Sequence, residues 1–90
     1  MLNKVKLALR ITTDAFDDEL NDLIEAAQLD LGIAGVVVPA EIDSIVTRAI
    51  ITYCKLHFGE PGDYDRLKLS YNEQKAQLSM ASGYTVFSEA

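Results

Sequence analysis

The chain has 90 residues, 49 % of them apolar, and a formal net charge of −6. This is one domain of ordinary globular composition, which argues against disorder throughout, and at this size only about 60–65 % of the unfolded surface is buried on folding. The acidity repels free nucleic acid, the longest apolar run is far short of a membrane span, and a lone cysteine forms no internal disulfide, which fits a reducing compartment.

Four helices are predicted. The first covers residues 3–10, with Leu2, Val5 and Leu9 on one side, and charges inside its apolar stretch argue against a secretory signal. Ile11, Thr12 and Thr13 follow, β-branched and hydroxyl-bearing, suited to an extended turn and a helix cap. The second helix starts at residue 14 or 15 and runs to 31. Phe16, Leu20, Leu23, Ile24, Ala27 and Leu31 fall on one helical face, Thr13 or Asp14 is the expected N-cap, and Gly32 the expected stop. Asp17, Asp18 and Glu19 sit where the helix dipole favours anions.

A valine-rich connection, 32–40, ends at Pro39 and is read as extended. The third helix, 40–58, carries Ile42, Ile45, Val46, Ala49, Ile50, Tyr53 and Cys54 on one face, widened by Ile51, Leu56 and Phe58, so it is expected to be central and most buried. Gly59 closes it and Pro61 prevents its continuation. Asp63 is a candidate N-cap for a fourth helix reaching to about 78, with a sparse apolar face of Tyr64, Leu67, Tyr71 and Leu78. The pattern stops there. The fold expected is all-α: a small bundle of about four helices over residues 1–78, with a short extended connection and a C-terminal tail, 79–90. Tyr84, Val86 and Phe87 in that tail are apolar enough to want a partner surface.

Residues 11–47 hold nine acidic side chains and no lysine or arginine. A calcium loop beginning at Asp14 would place Glu25 at its twelfth position, but Phe16 and Glu19 occupy the third and sixth, so a solvated helix face is the better reading. Asp17, Asp18, Asp22 and Glu25 are expected to be largely exposed. Cys54 and His57 form half a zinc motif with no second half, and nothing around them supports a nucleophilic site. No catalytic residue, cofactor site or metal site is assigned. Asp43-Ser44-Ile45 is similar to the phosphopantetheine attachment sequence of acyl carrier proteins, also small, acidic and four-helical. The helix after it carries Arg48 and Lys55 and no acid before Glu60, unlike the acidic helix usual there. A carrier or other small interaction module with Ser44 as attachment site is the alternative reading. Lys4, Lys6 and Arg10 make one basic group, and Arg66, Lys68 and Lys75 another. They lack the stacking aromatics of a nucleic-acid reader and suit salt bridges to the acidic helix, within or between subunits.

The order of these features carries more than any one of them. L-R-I precedes T-T-D-A-F-D-D-E-L-N-D-L-I-E-A-A; a valine-rich connection leads to A-I-I-T-Y-C-K-L-H-F-G; then come E-P-G-D-Y-D and R-L-K-L-S-Y-N-E-Q-K-A-Q-L. Over residues 5–78 the chain resembles the small head–tail connector, or adaptor, proteins of tailed bacteriophages and prophages, often labelled DNA-packaging proteins. The resemblance implies a non-enzymatic subunit that forms a homo-oligomeric ring under the portal protein, extends the DNA channel after packaging, and presents a platform to a downstream connector or tail-completion protein. DNA would pass without sequence-specific binding, no membrane would be involved, and the place of action would be the virion, with the host bacterial cytoplasm before assembly. Asp17, Asp18, Asp22 and Glu25 become a candidate channel or inter-subunit face. Tyr84, Val86 and Phe87 become a candidate portal-docking tail.

Overall fold

The computed structural model describes residues 1–36, 44–59 and 62–80. They form an all-helical bundle in the order α1 (Leu2–Leu9), α2 (Asp17–Ile33), α3 (Ser44–His57) and α4 (Tyr64–Met80), with no strand among the described residues. The expected four-helix architecture is the one adopted. Ile42, Val37, Val38, Pro39 and Pro61, on which parts of the sequence reading rest, and the tail 81–90 lie outside the described residues.

The third helix is central, as its dense apolar pattern predicts. It packs against α1, α2 and α4, and Val46, Ala49, Ile50, Cys54 and Leu56 on it are buried. Leu20, Ile24, Ala27 and Leu31 bring the apolar stripe of α2 onto this core, joined by Val5 from α1 and by Tyr71 and Leu78 from α4. Removing a side chain such as Ile50, fully enclosed here, costs about 2–5 kcal/mol. Two expected core residues face outward. Ile45 stands in the first turn of α3 and Tyr64 is the first residue of α4, and both are exposed. A helix end has fewer neighbours to cover it than its middle, so the periodic face frays there. Phe16 is also exposed, yet its ring meets Phe58 edge to face at 5.4 Å, pinning the entry of α2 to the end of α3.

The helix ends differ from the sequence reading in instructive ways. Thr13 Oγ1 accepts from the Ala15 amide and the Asp14 carbonyl accepts from the Asp17 amide, so residues 13–16 form a separate turn. Helix α2 therefore begins at Asp17, with Phe16 at the N-cap and no side-chain cap. At its other end Gly32 is helical. The Val36 amide reaches back to the Leu31 carbonyl at 2.9 Å and the Gly35 amide to Gly32 at 3.0 Å, with Gly35 at φ 94°. This is a Schellman stop, sealed by the buried pair Leu31 and Val36. The same closure ends α1, where Ile11 N–H bonds Lys6 C=O and Arg10 takes the left-handed position at φ 60°. Gly59, at φ 70°, closes α3 as expected.

Candidate interaction surfaces

Helix α2 buries one stripe, so its other residues must face outward. Asp18, Asp22 and Glu25 are exposed, as is Glu19 beside them. Asp17 departs from the expected exposure. It is half-buried and pairs with Lys6 of α1 at 2.9 Å, and Lys6 also meets Asp14 at 2.9 Å. Lys6 is largely covered, and hydrogen bonding to Asp17 first and Asp14 second holds its ammonium above the usual lysine range. One acid of the expected face thus clamps α1 to the start of α2.

Asp30, farther along α2, is likewise internal in its loyalties. Its Oδ2 accepts from the Tyr71 hydroxyl at 2.6 Å and from Lys75 Nζ at 3.2 Å, both on α4. Tyr71 stacks edge to face on Tyr53 at 5.3 Å, and Tyr53 lies against the His57 ring at 4.3 Å. Burial, then the hydrogen bond to Asp30, pushes the Tyr71 phenol far above its ordinary range. Burial pushes the Asp30 carboxyl up, but Tyr71, Lys75 and the more distant His57 outweigh that and hold it below its ordinary value. This cluster joins α2 to α4 across α3.

The basic residues regroup in space. Lys6 and Lys75 are spent on the ion pairs just described. Arg10, Lys55 and Arg66, from three different helices or their ends, line one cleft, and Arg48 and Lys55 line a second beside it. Sequence proximity groups Arg10 with Lys4 and Lys6, and Arg66 with Lys68 and Lys75. Arg48 and Lys55 had figured only in the comparison with carriers. Their spacing of seven on one helix was the available signal.

Ser44 is the first residue of α3 and exposed. Cys54 is fully buried, and burial raises its thiol to about 11, while His57 at the end of α3 is exposed. Residues 17–25 are helical, so the segment from Asp14 to Glu25 has no calcium-loop geometry. Among the described residues no group of three or more His, Cys, Asp or Glu gathers closely enough to hold a metal ion, and no described helix is long and apolar enough to cross a membrane. Tyr84, Val86 and Phe87 lie outside the described residues.

Fold and surface together define a small helical protein whose distinctive features are charged faces rather than an assembled reactive centre among the described residues. The family model for the phage connector protein matches residues 1–85, and the chain belongs to that family. The match extends beyond the 5–78 span of the resemblance and takes in Tyr84, stopping before Val86 and Phe87. No curated protein and no solved structure matches the chain.

Proposed function

We propose that the chain is a structural subunit of a phage head–tail connector. Copies form a ring that docks under the portal protein, extends the DNA channel after packaging, and receives the next connector or tail-completion protein. The observation that carries this reading is the family match over residues 1–85, laid on a four-helix bundle whose α2 exposes Asp18, Glu19, Asp22 and Glu25. A net charge of −6 lets a duplex pass without adhering, because phosphate binding requires neutralising cations. Leu7 and Ile33, 81 % and 86 % exposed, are apolar groups that a neighbouring subunit or the portal would cover. The tail with Tyr84, Val86 and Phe87 is the proposed portal contact. The subunit acts in the virion at the head–tail interface and waits in the host bacterial cytoplasm, with no membrane step.

Native mass spectrometry over a wide concentration range, with and without the portal of the same phage, tests this. A ring of unmodified subunits under either condition is expected. A chain that remains monomeric alone and ignores the portal would sink the proposal. The same spectra address the carrier alternative, since a phosphopantetheine adduct on the exposed Ser44 would replace the connector reading with it.

A further inference from the structure

An acidic chain gives little reason to expect a basic groove, yet this one has it. Arg10, Lys55 and Arg66 border a cleft of about 350 Å³. A second cleft of about 200 Å³ is bordered by Arg48 and Lys55, and the two share Ala8 and Lys55 as common walls. Four of the chain's eight lysines and arginines therefore edge one continuous depression. Among the described residues its only carboxylate is Asp63, already bound to Arg66. Arg10, Arg48 and Lys55 form no ion pair among the described residues. Phe58 and Leu67 add an apolar wall.

The cations on α3 are regularly spaced. Arg48 and Lys55 are seven residues apart, two helical turns, so they stand on one stripe about 10.5 Å apart along the axis. Between them Thr52 turns its hydroxyl back onto the Arg48 carbonyl at 2.9 Å. Helix α2 has the opposite pattern at the same pitch. Asp18, Asp22 and Glu25 follow at i, i+4 and i+7, about 10.5 Å from first to last, all exposed and without an ion pair among the described residues. Within one subunit these stripes do not meet. The residues of α2 that pack on the core are Leu20, Ile24, Ala27 and Leu31, and they turn the acidic stripe away from the subunit's own α3. No described carboxylate but Asp63 edges the groove, and another copy of the chain carries a complement at the same spacing.

We propose that the groove of Arg48 and Lys55 on one subunit receives the Asp18, Asp22 and Glu25 stripe of the next. Two different patches make the contact heterologous, the type that repeats from subunit to subunit and closes a ring where the rotation allows. This inference rests on the connector reading and assigns the acidic α2 face to the joint between subunits rather than to the channel wall. Opposed charges at the rim set register and encounter rate and make association salt-sensitive.

Two double variants test it, D22K/E25K and R48E/K55E. All four positions lie outside the buried core, so circular dichroism should show unchanged helicity in both. Sedimentation velocity of the wild type, alone and with the portal, gives the reference association. Each variant alone should associate at least roughly tenfold more weakly, and a one-to-one mixture should recover near wild-type association, because each reversed face then meets a reversed partner. Wild-type-like association of either variant, or a mixture that fails to recover, would overturn the pairing and leave the ring reading standing. A wild type that associates with neither itself nor the portal would remove both. If R48E/K55E loses binding to a 20-base-pair duplex while its self-association is unchanged, the groove belongs to phosphate and the pairing is wrong.

Discussion

Tyr71 shows how much one buried phenol organises here. Its hydroxyl hydrogen bond to Asp30 replaces water that burial has removed, and Lys75 completes the pairing from the ring face, 5.2 Å from its centroid. The Y71F variant should lower stability by about 1.5 kcal/mol, the lower end for a hydrogen bond to a charged acceptor, because Asp30 keeps some contact with water. A thermal midpoint roughly 6–12 °C lower would register this. The same cluster contributes to the acid limb of stability. The Asp30 carboxyl is held below its ordinary 3.8 in the folded chain, so its contribution is present above that value and is lost as pH falls through the lower folded value. In Y71F the Asp30 titration, followed by carboxyl carbon NMR, should move up and the acid transition should begin at higher pH. On the alkaline side Cys54 acts in the opposite sense. Its folded value, raised to about 11 by burial, makes stability fall as pH climbs from the ordinary 9.0 through 11. The folded thiol should therefore react with thiol reagents only as fast as the bundle opens, and rapid labelling at neutral pH would contradict its enclosure. Little of this cluster was legible in the sequence. Tyr71 was visible as part of an apolar face, but Asp30 looked like one more acid in an acidic run, and a partner 41 residues away leaves no local pattern.

Among whole elements, the helices themselves were plain in the chain because burial at 3.6-residue spacing writes itself into residue choice. Their ends were less so. Gly32 and Gly35 are equally good stops on composition, and only the closing hydrogen bonds distinguish them. Beyond their own chain neighbours and, for Gly32, the backbone of its own helix, neither has an atom within 4 Å of where a methyl group would project, so alanine meets no crowding from the rest of the bundle at either site. The difference is backbone alone. G32A, within the helix, should stabilise by up to about 1 kcal/mol, whereas G35A, forced to φ 94°, should destabilise by about 1–2 kcal/mol. Chemical denaturation of the two variants checks the opposite signs, and equal signs would mean the helix stops elsewhere. Arg10 holds the equivalent left-handed position in α1 with a side chain that resists it. R10G should therefore gain about 0.5–1 kcal/mol, the relief of that strain less the added freedom of the unfolded chain. A side chain kept at such a cost suits its place at the edge of the basic groove.

At the level of the molecule, the buried side chains of the described core run from Val5 to Leu78. Truncation after Met80 removes no described helix and no described core side chain, and it should leave helicity unchanged and the thermal midpoint within a few degrees. It also removes Tyr84, Val86 and Phe87, the apolar groups assigned to the portal. Cosedimentation with the portal should then weaken sharply, while association between subunits, proposed to run through the charged stripes of α2 and α3, should persist. The two surfaces are separable because they draw on different forces. The stripe contact should fade with added salt, whereas apolar docking of the tail should survive it. Unimpaired portal binding by the shortened chain would reject the tail as the docking element and move that contact onto exposed residues of the bundle such as Leu7 and Ile33. Loss of folding on truncation would instead make the tail part of the core, and the bundle could no longer be treated as the unit that assembles.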